Sequence, residues 1–267
     1  MRLKIRHVTN YHYAAAGRYA IQRLRLTARA NASQMVEEWR IEAPGIDEAA
    51  SYTDGFGNVT HLVTQDQPLE SLSIIAEGVV VTKDTGGVTG RPPEAANPAS
   101  FLRSTASTEA SPPIRKIARN ARGDDRLSLL HSLMSVIGDH MSFDTDASHS
   151  GTSAADAFAA GFGVCQDYTH IFCAAARSLE VPARYVTGYL RLDDEAPAVA
   201  HHAWAEAFVP ELGWVGFDVA NGICPTENYV RLACGLDARA AAPIVGLHRQ
   251  AGEEILSVDV VVEQQQQ

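Results

Sequence analysis

The chain has 267 residues, 46% of them hydrophobic and 20% charged, with a formal net charge of −10. That length suffices for one large or two modest domains with buried cores, and the composition is that of an ordinary globular protein. The acidic balance and the lack of any Lys/Arg cluster exclude a nucleic-acid surface, and no apolar run approaches the roughly 18 residues of a membrane-spanning helix.

Residues 1–90 read as strands. Leu3, Ile5, His7, Thr9, Tyr11 and Tyr13 alternate along one face, and Ile21–Leu26, Val36–Ile41, Val59–Val63 and Ser73–Val81 extend the pattern. Asp54-Gly55 and Gly57-Asn58 mark turns between them. Short strands, regular turns and no helical period predict a β-sandwich. The first residues, Met1–His7, alternate charged and apolar side chains and lack the continuous apolar stretch of a signal peptide. With only four cysteines in the chain, a reducing, cytoplasmic setting is expected.

Residues 84–112 are rich in Gly, Pro, Ser and Thr and predict a linker or a long exposed loop, its centre at 91–111. Pro112-Pro113 then opens a helix. A second helix is expected from about Asp124 to Met141, with Leu127, Leu130, Met134, Ile137 and Met141 on one stripe. Ser153 and Asp156 are spaced as a capping box for a short third helix. The tail from Ile255 to Val262 is a last strand whose sheet the pattern does not specify, and Gln264–Gln267 is expected to fray.

The chemistry concentrates between the third helix and the tail. In Gly161-Phe-Gly-Val-Cys165-Gln-Asp-Tyr168 a cysteine follows a glycine pair at the start of an alanine-rich, apolar-periodic helix. Gly163 is expected to free the backbone for the entry turn. In the first helical turn the unpaired N–H groups and the positive end of the macrodipole favour a thiolate, the nucleophilic form of cysteine. A nucleophile of this kind needs a base, and the base needs an orienting partner. His202-Ala-Trp204 begins one apolar run and Trp214-Val-Gly-Phe-Asp218 ends the next, with Pro210-Glu-Leu-Gly213 between them. That is a β-hairpin. Side chains alternate faces with period two, so only a loop of three or five residues puts His202 and Asp218 on one face. The chemistry therefore predicts an odd loop.

Other assignments compete. His201 is the rival base, but alternation sends it to the face opposite His202. Cys165, His170 and Cys173 do not form a metal site: at about 100° per residue, His170 lies about 140° and Cys173 about 80° from Cys165. Cys224 and Cys234 lack the CxxC pairing of structural zinc, and no EF-hand loop is present, so no metal and no cofactor is expected. Cys173 reads as core, and Asp167 as a carboxylate complementing the helix N-terminus. Trp204 and Trp214 are candidate substrate-binding residues, with hairpin packing as the competing role.

Gly-Val-Cys165-Gln-Asp-Tyr, Leu179-Glu-Val-Pro-Ala-Arg-Tyr185-Val-Thr-Gly-Tyr189-Leu, His202-Ala-Trp and Trp214-Val-Gly-Phe-Asp218 resemble the core of bacterial transglutaminase-like proteins, within the papain-like superfamily of cysteine peptidases and acyl transferases. Cys165 to His202 spans 37 positions and His202 to Asp218 spans 16. The likeness covers most of the chain, because Tyr11 and Tyr13 after His7, and Asp54-Gly-Phe-Gly-Asn58, are similar to that family's β-rich leader. The resemblance implies an α+β fold, with an N-terminal β-sandwich at 1–90 and a transglutaminase-like catalytic domain at 112–263. In that domain the helix bearing the nucleophile packs on an antiparallel sheet. It implies Cys165 as nucleophile, His202 as general base and acid, and Asp218 as the orienting carboxylate. The expected activity is acyl transfer from a peptide or protein amide through a thioester. Water is the expected acceptor, with an amine acceptor or an idle scaffold as alternatives. The backbone N–H of Cys165 is one oxyanion donor, and the second is not assigned. One departure is Glu180, where the family carries glycine.

Overall fold

A computed structural model describes the chain except residues 18–19, 66–68, 92–95, 147–148, 150, 193–200, 249–253 and 266–267. The N-terminal part contains β1 (Arg2–Gly17), β2 (Ala20–Leu24), β3 (Gln34–Glu42), β4 (Ala50–Thr53), β5 (Val59–Gln65), β6 (Leu69–Thr82) and β7 (Val88–Gly90). The helical part contains α1 (Pro112–Asn120), α2 (Arg126–Gly138), β8 (Ser142–Phe143), α3 (Ala154–Ala160), β9 (Phe162–Gly163) and α4 (Cys165–Ser178). Then come β10 (Ala183–Leu190), β11 (His201–Val209), β12 (Gly213–Phe217), β13 (Tyr229–Gly235), α5 (Ala238–Ala241), β14 (Ile244–His248) and β15 (Glu254–Gln264). The fold is α+β with mostly antiparallel sheets, as expected.

Two four-stranded sheets, ordered β15-β1-β6-β3 and β14-β2-β5-β4, make up the strand-rich region. The alternation of β1 buries Leu3, Ile5, His7, Thr9, Tyr11 and Tyr13 while its intervening residues face outward. Those apolar residues meet Leu24 and Val63 of the facing sheet and Leu72, Ile74 and Val80 of β6 in one core. Tyr189, Val230 and Leu232 of the third sheet join that core, so the two parts of the chain share buried surface.

The third sheet, ordered β13-β10-β11-β12-β7, is covered on one face by the helices. α4 packs on β10 and β11 and receives α1, α2 and α3. Its Ile171, Phe172, Cys173, Ala174, Ala175 and Ala176 are buried. Alanine on a helix buries no bulk, which lets neighbouring backbones approach closely around the nucleophile-bearing element. On α2, Leu130, Met134 and Ile137 lie in the core as the stripe predicts. The helix stops at Gly138, short of Met141, which is buried beyond its end.

Three expectations change. The described residues of 84–112 are not a continuously exposed linker. β7 pairs with β12, 3-10 turns form at Pro98–Leu102 and Ala106–Thr108, and Phe101 is fully buried against Trp214 with ring centroids 5.1 Å apart. Turn-forming composition set the expectation of exposure, whereas strand pairing, the Phe101 anchor and bonds from Arg177 to Phe101 O and Thr108 Oγ1 hold the segment. The last two strands, counted with the catalytic segment 112–263, pair instead with the N-terminal sheets, β14 on β2 and β15 on β1. Gly163 has no positive φ; its role is steric, because a Cβ there would lie 2.8 Å from Asp167 Cβ and 2.6 Å from its Oδ2. Gly161 is the left-handed residue, closing α3 at φ 78°.

Candidate active site

Cys165 is the first residue of α4, after the N-cap Val164, and is half-buried. In that position its N–H has no intrahelical acceptor. The buried Asp167 turns back on the cap and accepts from the Val164 N–H at 2.8 Å, the structural role expected of it.

The β11–β12 loop has three residues, since Val209 pairs with Gly213. The odd loop is therefore present. His202 and Asp218 lie on one face, with His202 Nε2 2.6 Å from Asp218 Oδ2. Nε2 is taken by the carboxylate, which leaves Nδ1 as the second ring nitrogen, and Cys165 packs against the cluster of Tyr185, Ala203 and Ala241 next to His202. Sequence positions 165, 202 and 218 thus converge from a helix start and two neighbouring strands.

The carboxylate is fixed from several sides. Asp218 is fully buried and exchanges backbone hydrogen bonds with Ile223 at 2.8 and 3.2 Å. Its Oδ2 also accepts from Tyr229 Oη at 2.7 Å and from Asn221 Nδ2 at 2.7 Å, while Oδ1 receives only the Asn221 N–H at 3.3 Å. Burial alone would raise the Asp218 pKa, but the bonds from His202, Tyr229 and Asn221 hold it below the usual carboxylate value. Burial alone would likewise depress His202. Hydrogen bonds to Asp218 and Cys165 and the charges of both outweigh it, and the imidazole is raised to about 10. At neutral pH the ring is a cation between two acidic partners.

Asn221 and Tyr229 escaped sequence reasoning. Asn221-Gly222 carries a turn signal that points only to local structure, and Tyr229 has no local signature, since it arrives from β13 on the far side of β10. Its ring stands edge-on to His202 and Trp204, at centroid distances of 6.0 and 5.4 Å.

His201 lies on the opposite face, as alternation requires. Its Nε2 is 3.0 Å from Thr187 Oγ1, and burial and the neighbouring His202 depress it to about 4. Trp204 and Trp214 are both buried, at 2% and 1% exposure. Packing, rather than the substrate contact entertained for them, is what their surroundings support: Trp204 lies in a cluster with Val186, Tyr229 and Cys234, and Trp214 lies under the Arg184 guanidinium at 3.9 Å. Arg184 and Arg231 also clamp the buried Glu206, with Nε–Oε distances of 2.6 and 2.9 Å. Cys173 is fully buried and its thiol is pushed up to about 11 by burial, in keeping with a core role. Among the described residues no group of three or more His, Cys, Asp or Glu side chains converges as a metal site.

The leader reaches this machinery through its Asp54–Asn58 turn. Asn58 Nδ2 donates to the Cys234 carbonyl at 2.8 Å and its Oδ1 accepts from the Cys234 N–H at 2.9 Å. Asp54 accepts from the Phe56 and Asn58 N–H groups and from Arg25 Nε at 2.7 Å. The turn is thereby sewn to β13, the strand that supplies Tyr229.

Comparison with known proteins agrees with this architecture. Residues 115–219 match the transglutaminase-like superfamily, and residues 3–81 match the bacterial transglutaminase-like N-terminal region. The chain thus carries a transglutaminase-like core behind a bacterial transglutaminase-like N-terminal region. Uncharacterized proteins of Mycobacterium leprae and Mycobacterium tuberculosis are each 27% identical to it, over 98% and 97% of this chain and 98% and 92% of their own lengths. A solved structure of a candidate cysteine protease from Cytophaga hutchinsonii shares the fold, with a TM-score of 0.75 and 21% identity over 100% of this chain and 92% of that one.

Proposed function

We propose that the protein is a cysteine-dependent acyl transferase acting on peptide or protein amides, with Cys165 as nucleophile, His202 as acid and base, and Asp218 as orienting carboxylate. The observation that carries this reading is the 2.6 Å bond from His202 to the buried Asp218, beside a half-buried cysteine at a helix N-terminus that packs against Ala203. The thiolate adds to the amide carbonyl, and the oxyanion is met by the Cys165 N–H. The His202 imidazolium gives its Nδ1 proton to the leaving amine, leaving a thioester and a neutral ring. Water then adds, deprotonated by Nδ1, and the carboxylic acid departs as the proton returns with the restored ion pair. Asp218 keeps the proton of Nε2 in place throughout.

Water is proposed as the acceptor because Cys165 and His202 both retain solvent exposure. An amine must be bound to compete with it. Incubation with a peptide-amide library, with and without a primary amine, distinguishes the two by mass: the free acid is expected in both. Exclusive formation of the amine adduct would overturn hydrolysis. Cys165→Ala is expected to abolish either product while preserving the fold. Native protein that yields neither product and no Cys165 labelling by a thiol reagent would favour the idle scaffold.

A further inference from the structure

We infer that β15 is the interface of a homodimer, pairing antiparallel with β15 of a second copy about a two-fold axis at Val258. This is independent of the chemistry proposed at Cys165.

The two edges of the β15-β1-β6-β3 sheet are built differently. At one edge, β3 is broken by a register shift between Val36 and Glu38 and carries Glu37, Glu38, Arg40 and Glu42, with Arg40 paired to Glu77 and Glu42. Bulges and charges are the usual protection of an open edge. At the other edge, β15 runs in unbroken register along β1, from Leu3↔Gln264 to Tyr13↔Glu254. It contains no Pro, Lys or Arg. Its Ile255 is 68% exposed, Leu256 52%, Val258 45% and Val261 42%. Among the described residues, β4, β7, β13 and β14, the edges of the other large sheets, have 4, 3, 7 and 5 residues, against 11 for β15. An unbroken edge of this length, with apolar side chains on both faces between its three acidic residues Glu254, Asp259 and Glu263, is a template for another strand.

The side chains select the second copy as that strand. With the axis at Val258, Ile255 faces Val261, Leu256 faces Val260 and Val258 faces itself, while Asp259 falls opposite Ser257. Over residues 255–261 apolar meets apolar on each face, and no acidic pair is directly opposed. Moving the axis to Asp259 sets that carboxylate against its own copy, which is unfavourable. Leu256 and Val258 also line, with His7, Tyr11, His201 and Ile244, an apolar groove of about 280 Å³. A partner strand alongside would extend the apolar wall of that groove. A closed two-fold contact of this kind is isologous and limits the assembly to two copies.

The full chain is expected to sediment as a concentration-dependent dimer, and Val258→Lys, which sets two cations against each other at the axis, to return a monomer with an unchanged circular dichroism spectrum. A second variant tests the register. Under mild oxidation Val258→Cys should give a disulfide-linked dimer above the wild-type background from its own four cysteines. Ser257→Cys should not, because its copy lies diagonally at about 7–8 Å, beyond disulfide reach. A monomer at every concentration, a dimer that survives Val258→Lys, or cross-linking at Ser257 in place of Val258 would each overturn the inference.

Discussion

Replacing Asp218 by asparagine separates the charge of the orienting group from its geometry. The donors around it dictate the amide rotamer. Tyr229 Oη, Asn221 Nδ2 and His202 Nε2 all point at the Oδ2 position, so the amide oxygen must occupy it. The amide NH2 then takes the Oδ1 position and loses only the 3.3 Å contact with the Asn221 N–H. The imidazole keeps its acceptor at Nε2, and the reactive tautomer survives. What disappears is the charge. Hydrogen bonds to ionised groups exceed neutral ones by about 1 kcal/mol or a little more, which predicts a loss of roughly five- to tenfold in kcat/KM. A ring held in the wrong tautomer would instead cost roughly 10⁴-fold. The sign for pH follows from His202, raised to about 10. Its raised pKa stabilises the fold fully below the unfolded value of about 6.5, and that contribution is lost as pH rises through about 10. In the variant the imidazolium loses its anionic partner, so the alkaline limb of the kcat/KM profile moves down, by about one pH unit for about 1.4 kcal/mol. Amide hydrolysis followed across pH, with urea unfolding at the same pH values, measures both effects. A loss above about a thousandfold, or an alkaline limb left in place, would refute the assignment of the Oδ2 donors.

His202→Ala is expected to remove all but background turnover, whereas His201→Ala, on the opposite face and bonded to Thr187, should keep most of it; the reverse result in initial-rate assays would move the base. Asn58→Ala strands the buried N–H and C=O of Cys234, each worth about 1–3 kcal/mol, so unfolding in denaturant should show a loss of roughly 3 kcal/mol; a loss below about 1 kcal/mol would mean that the leader is not anchored there. Glu180 stands at φ 60°, where the resemblance leads one to expect glycine. Glu180→Gly should relieve about 1 kcal/mol of strain and, after the added freedom of the unfolded chain, raise stability by about 0.5 kcal/mol; a fall in the unfolding midpoint would contradict this. Iodoacetamide should modify half-buried Cys165 in the native protein and leave Cys173 untouched until unfolding, and equal rates by peptide mapping would count against the site.

Local chemistry written in consecutive residues was legible before any coordinates. The period-two run from Leu3 to Tyr13, a hairpin turning near Pro210–Gly213, and a cysteine opening an apolar helix each follow from steric preferences within a few residues. Face alternation sends His201 away from His202, but whether His202 and Asp218 meet depended on the loop length, which alternation does not set. The roles expected of Cys165, His202 and Asp218 rested on the resemblance of their motifs. The surroundings of the site were decided elsewhere. Asn58 meets Cys234 across 176 positions, and His7 meets Tyr189 across 182, at 2.9 Å. Such pairs leave no periodic trace, because each partner is shaped by its own segment and their meeting depends on how the sheets stack. The same holds for Tyr229 on Asp218, for Phe101 holding down a segment composed like a linker, and for the burial of both tryptophans. Only the tertiary structure could seat β15 beside β1, since an alternating apolar strand suits any open edge and packing alone selects which.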